Sequence, residues 1–267
     1  MVKLALAQTT STDDFARNLA VAEAMIPAAA AAGADILAYP EVFLFIGARA
    51  RKLEIAEPLD GPTVSRFREA ATRFGMLLLL GSIHEKAEGQ DSRVYNTAVL
   101  IGRDGEILST YRKLKLFDVA LPHLSIRESD TIVPGDAPPP VVATDIARIG
   151  LSICFDLRYP ALYQDLRRRG AELVFVPSNF TARTGEAHWS VLLRARAIEN
   201  QFYVAAPAQA GQHNPEYRSF GHTLAVDPWG RVLCEAAGGP GLVFADIDLA
   251  YLQKVRAELP MGVADGS

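Results

Sequence analysis

The chain has 267 residues, 49% hydrophobic and 22% charged, ordinary globular proportions that exclude a disordered, collagenous or disulfide-stapled chain. Its 27 basic and 31 acidic side chains leave a formal net charge of −4, so no global attraction to nucleic acid or to an anionic membrane is expected.

The first apolar run, Leu4 to Gln8, reads as a buried strand. It is too short for a signal-peptide core. Asp13-Asp14 then precede an Ala-rich helical stretch ending near Gly33, a capping glycine. Glu23, Pro27 and Asp35 interrupt the apolar stretch from Leu19 to Leu37, so it is not read as a membrane span. A second strand, Asp35 to Tyr39, stops at Pro40, and Glu41 follows at once. Strand, helix, strand implies a parallel pair with a crossover helix. Next, Arg73-Phe74-Gly75 ends a helix and leads into the strand Met76 to Leu80. A hairpin runs from Asn96 to Ile101, turns at Asp104-Gly105 and returns through Glu106 to Leu108.

The same order then recurs. Arg148 to Cys154 is a strand, and Pro160 opens a helix running to Gly170. Gly170-Ala171-Glu172-Leu173-Val174-Phe175-Val176-Pro177 repeats the pattern of Gly33-Ala34-Asp35-Ile36-Leu37-Ala38-Tyr39-Pro40. Glu199-Asn200-Gln201 leads into Phe202 to Ala206, and a second hairpin places His222 to Val226 before a Trp229-Gly230 turn and Arg231 to Leu233. Two copies of one β-α-β-α-hairpin pattern therefore span roughly residues 1–115 and 145–250. Each sheet can be covered by helices on one face only. Packing the two open faces together predicts an α/β, four-layer α-β-β-α sandwich, internally duplicated, with residues 1–267 forming a single domain.

Sites in such sheets form beyond the carboxyl ends of strands. Glu41, Lys113 and Cys154 all fall there. A thiolate can attack a carbonyl, a carboxylate can take the thiol proton and later activate water, and an ammonium can stabilise the developing oxyanion. Lys113 would also lower the pKa of Cys154. Taken singly, each residue has a plainer reading: core filler for Cys154, a solvated loop charge for Lys113, a helix N-terminal acid for Glu41. A Cys154–His188–Asp156 triad is the second arrangement to consider. No HExxH, CxxC or glycine-rich phosphate loop occurs, so neither a metal nor a nucleotide cofactor is expected. Cys234 is expected to be structural, and His222 to sit within a strand. Two cysteines in a chain of this length suggest a reducing compartment, hence a cytoplasmic protein.

Tyr39-Pro40-Glu41-Val42-Phe43, Tyr111-Arg112-Lys113 and Ile153-Cys154-Phe155-Asp156-Leu157-Arg158-Tyr159-Pro160 resemble, in order and spacing, the three catalytic blocks of the nitrilase (carbon–nitrogen hydrolase) superfamily. Arg127-Glu128-Ser129, Ala187-His188-Trp189 and Gly221-His222-Thr223 are similar to the branch of small amidases that includes deaminated-glutathione amidase and ω-amidase. The resemblance implies a nitrilase-like sandwich without cofactor, assembled as a homodimer. It implies Cys154 as nucleophile, Glu41 as base, Lys113 with the backbone amide of Phe155 as oxyanion stabilisers, and Glu128 as a second glutamate near them. The expected reaction turns a terminal carboxamide into acid and ammonia through a Cys154 thioester, on a small-molecule substrate. N-carbamoyl, nitrile or aliphatic-amide hydrolysis is the alternative within the family, and a catalytically idle interaction partner the alternative outside it. Arg183 and Thr184, in the stretch Thr181-Ala182-Arg183-Thr184-Gly185, are the candidates for holding a substrate carboxylate. Lys115, Ala161 and Glu186 depart from the branch's usual residues and bear on specificity.

Overall fold

Alternate residues of the first strand pack into different clusters. Leu4 and Leu6 join one core, Ala5 and Ala7 another. That is the signature of a strand buried on both faces. The computed structural model describes residues 1–121 and 124–262. Its first half contains β1 (Val2–Thr9), α1 (Phe15–Ala31), β2 (Ile36–Ala38), α2 (Arg49–Ile55), α3 (Pro62–Phe74), β3 (Leu77–Lys86), β4 (Val94–Ile101) and β5 (Ile107–Arg112). A hairpin of β6 (Asp118–Leu121) and β7 (Leu124–Arg127), then β8 (Val141–Ala143), lead to the second half. There follow β9 (Arg148–Leu151), α4 (Pro160–Arg168), β10 (Leu173–Phe175), α5 (Ala182–Asn200), β11 (Tyr203–Ala206), β12 (Ala208–Asn214), β13 (Tyr217–Phe220), β14 (Leu224–Val226), β15 (Val232–Glu235), β16 (Gly241–Ile247) and α6 (Leu249–Glu258).

The two halves repeat one topology. The run β1-β2-β3-β4-β5 pairs parallel, parallel, antiparallel, antiparallel. So does the run β9-β10-β11-β14-β15. Matching details recur. Gly33 and Gly170 take left-handed φ values of 74° and 86° after α1 and α4, a geometry that favours glycine. Asp35 N–H donates to Lys3 O at 2.8 Å, and Glu172 N–H donates to Arg148 O at 2.9 Å. Between the sheets lies one cluster in which Leu4, Leu6, Ile36 and Leu79 meet Ile149, Leu151 and Phe175. On the outer face of the first sheet, Ala5, Leu37 and Leu78 pack on Ile26 of α1 and Phe67 of α3. Trp189, Leu193 and Ala197 of α5 and Leu166 of α4 cover the second sheet. The order of layers is α-β-β-α.

Two features differ from the sequence reading. The halves are not self-contained, because β12 leaves the second half to pair parallel with β1, and β16 returns to pair antiparallel with β1 along its length. His222 is not in a strand. With φ of 58° it follows left-handed Gly221 in the connection to β14, its Nδ1 2.7 Å from Glu235 Oε1. Two successive left-handed residues break the extended geometry that a strand requires.

Candidate active site

Each chemically equipped side chain is delivered by a strand end. β2 stops before Pro40, and the following turn directs Glu41 inward, where it is 4% exposed. This turn needs a close approach from β3. A Cβ at Gly81 would lie 1.7 Å from Tyr39 O, so only glycine fits there. Val42 has φ of 47°, held by its N–H donating to Ser82 Oγ at 2.9 Å. Cys154, just beyond β9, also has φ of 47°, and its N–H donates to Pro177 O at 3.0 Å. Left-handed backbone at such residues costs about 1–3 kcal/mol each and persists where the surroundings over-determine it. Lys113 follows β5, its N–H donating to Asn96 O at 2.9 Å.

The side chains then converge. Lys113 Nζ donates to Glu41 Oε1 at 2.8 Å and to Glu128 Oε1 and Oε2 at 3.0 and 2.8 Å. Glu128 opens a short 3-10 turn and also accepts from Phe117 N–H at 2.7 Å. Asn96 bridges the two carboxylates, donating to Glu41 Oε1 at 2.9 Å and Glu128 Oε1 at 3.3 Å. Its own Oδ1 is buried without a partner. Glu41 and the Cys154 thiol line the same cavity, and the Glu41 carboxylate acts on the thiol's ionisation. These residues share one cavity of about 310 Å³. Burial alone would lower the Lys113 ammonium, but the Glu128 and Glu41 carboxylates outweigh it and hold it well above its ordinary value.

Lys113 lowers the Cys154 thiol pKa as expected, but other effects outweigh it. Burial pushes Cys154 well up, the Glu41 charge pushes it further, and the opposing pull of Lys113 is too small to reverse them. At rest the sulfur is therefore a neutral thiol. The backbone N–H of Phe155 has no partner among the described residues and is free to receive an oxyanion. Among those residues no cluster of three or more His, Cys, Asp or Glu side chains is arranged to hold a metal.

The Cys154–His188–Asp156 triad does not form. His188 is exposed on α5, its Nδ1 3.3 Å from Arg158 Nη1. Asp156 is fully buried and accepts instead from Ile153 N–H at 2.9 Å, Lys115 N–H at 3.0 Å and Tyr111 Oη at 2.8 Å. Arg183 and Thr184 are not brought to this cavity. Thr181 caps α5, so both lie in the first helical turn and not in a pocket loop. Arg183 is exposed, the Thr184 hydroxyl pairs with Thr181 Oγ1 at 2.8 Å, and neither lines the cavity. Among the side chains there that sequence reasoning missed are Asn96 and Lys52. A polar Asn inside the apolar run of β4 was a readable signal for the first.

The family model for the carbon–nitrogen hydrolases matches residues 3–257. The chain is 42% identical over 262 residues to deaminated glutathione amidase of Rattus norvegicus, covering 97% of this chain and 80% of the relative. It superposes on the NitFhit protein of C. elegans with a TM-score of 0.92 at 40% identity, covering 97% of this chain and 63% of that longer one. An amidase from Nesterenkonia sp. AN1 matches with a TM-score of 0.81 at 29% identity, over 97% of this chain and 95% of that one. Its structure is a glutamate-to-glutamine mutant with the acetamide moiety of fluoroacetamide added covalently at the active-site cysteine.

Proposed function

Since this chain belongs to the carbon–nitrogen hydrolase family and hydrolyses carbon–nitrogen bonds other than peptide bonds, we propose that its substrate is deaminated glutathione or the terminal ω-amide of an α-keto dicarboxylic acid. The observation that carries the chemistry is the Lys113 ammonium 2.8 Å from both Glu41 and Glu128, in one cavity with Cys154. In this reading Cys154 Sγ attacks the amide carbonyl as its proton passes to Glu41. Lys113 and the Phe155 N–H receive the oxyanion. Collapse expels the amine with the proton from Glu41 and leaves a thioester. Water then gives a proton to Glu41 and attacks the thioester, and collapse returns that proton to sulfur. Glu128 acts through Lys113, fixing where the ammonium points. From a primary amide the amine is ammonia. In deaminated glutathione the acyl group is joined to cysteinylglycine, which leaves in ammonia's place.

We also propose a cytoplasmic, single-domain subunit working as a homodimer. Both cysteines are unpaired, and among the described residues no helix is long and apolar enough to cross a membrane. Val191 and Ile198 of α5 and neighbouring Trp229 are 68%, 43% and 56% exposed, an apolar surface suited to a second copy. Amine release from a panel of glutaramate, butyramide, deaminated glutathione, a nitrile and an N-carbamoyl amino acid tests the reaction. Turnover of the amides supports it. Preference for the nitrile or the N-carbamoyl compound overturns it.

A further inference from the structure

Lys52 of α2 lines the same cavity as Cys154, and the reaction just described leaves it without a task. Its ammonium makes one hydrogen bond, to Thr131 Oγ1 at 2.9 Å. Among the described residues no carboxylate comes within ion-pairing distance of it, whereas Lys113 is tied to two. An ammonium carries three donors, so two are left without a protein acceptor. The Glu128 carboxylate is already taken up by Lys113 and the Phe117 N–H. It acts on Lys52 only at longer range.

The surroundings favour an anion. Thr131, which holds Lys52, closes the 3-10 turn begun by Glu128, so the free ammonium and the Lys113 cluster share one rigid support. Arg49, one turn earlier in α2, adds positive potential. Burial lowers the pKa of Lys52 and, with the Lys52 charge, lowers that of His84 on the same wall. The ammonium is thus partly buried in the cavity and has no ion-pair partner among the described residues, a condition under which a ligand carboxylate gains from binding.

We infer that Lys52 anchors a carboxylate on the acyl half of the substrate, so that the site selects ω-amides of dicarboxylic acids over neutral amides. This rests on the amide-hydrolase reading above and moves the carboxylate anchor from exposed Arg183 into the cavity.

Two measurements on Lys52→Met, with Lys52→Arg as the charge-keeping control, test it. In kinetics, KM for glutaramate should rise at least ten times more than KM for butyramide, and Lys52→Arg should restore most of the difference. In calorimetry, glutarate should bind the unaltered protein and bind Lys52→Met at least tenfold more weakly. Equal changes for the two amides, or equal glutarate affinity in both proteins, would overturn the assignment. So would failure of the unaltered protein to bind glutarate. Because glutarate binding needs no turnover, a protein that binds glutarate through Lys52 yet cleaves no amide would refute the reaction and leave the anchor standing.

Discussion

Tyr111 Oη donates a 2.8 Å hydrogen bond to Asp156 Oδ2, joining the strand that leads to Lys113 to the turn that carries Cys154. The Lys115 N–H adds a second tie from the same loop, 3.0 Å from Oδ1. Tyr111 and Asp156 belong to opposite halves of the duplicated chain. One buried carboxylate therefore sets the spacing between the proposed oxyanion stabiliser and the proposed nucleophile.

Burial pushes Asp156 up to about 6, although the Ile153, Tyr111 and Lys115 donors pull the other way. A carboxyl whose folded value is raised binds its proton more tightly in the native state. The stability it adds is present below the unfolded value near 4 and is lost as pH rises through about 6. The unfolding free energy of the unaltered protein minus that of Asp156→Asn should therefore fall by about 2 kcal/mol between pH 4.5 and 7. Urea unfolding at the two pH values measures this. A flat difference would show that the carboxylate titrates normally.

Cys154→Ala should abolish turnover and leave the circular dichroism spectrum unchanged, because a methyl group cannot form the thioester. Cys234→Ala, on β15 far along the chain from these blocks, should keep turnover. In Glu41→Gln the charge that raises the Cys154 pKa is gone, so thiolate absorbance should appear at lower pH even though catalysis is lost. Mass spectrometry of that variant with substrate should find Cys154 unacylated, because Glu41 serves the first half of the reaction as well as the second. A thiolate transition moved to higher pH would contradict the electrostatic account.

Lys113→Met should lower kcat by about 10²–10³, the usual loss for one oxyanion donor. It also strands Glu41 and Glu128 without their counter-ion. Breaking a buried pair in this way costs about 3–5 kcal/mol, so the melting temperature should drop as well. Lys115→Met should change both far less, since the Lys115 ammonium lies over the Tyr159 ring, 4.9 Å from its centroid. Equal effects from the two substitutions would mean that the loop is only generally basic.

Light scattering should report about twice 28.9 kDa. Val191→Glu with Trp229→Glu should halve that mass by placing charge in an apolar contact. An active, monodisperse monomer in the unaltered protein would refute the dimer and leave the chemistry intact.

The internal repeat, the strand ends and the motifs around Glu41, Lys113 and Cys154 were legible in the chain. They rest on local patterns: apolar runs, capping glycines and a proline that stops each second strand. The Glu128 position came from its motif. Everything that depends on which strand meets which was decided by the tertiary structure. No local rule sends β12 and β16 to β1, because pairing partners are chosen by burial across the whole sandwich. The direction of the Cys154 pKa shift needed the depth of burial and the side of the sulfur on which Glu41 lies. Arg183 and Lys52 make the same point. As sequence they are two cations in polar stretches of similar appearance. Thr181 starts a helix that leaves Arg183 in solvent, while α2 brings Lys52 to Thr131 beside the proposed catalytic glutamates. Charge can be read from a sequence, but whether water or a cavity receives it depends on packing against distant residues.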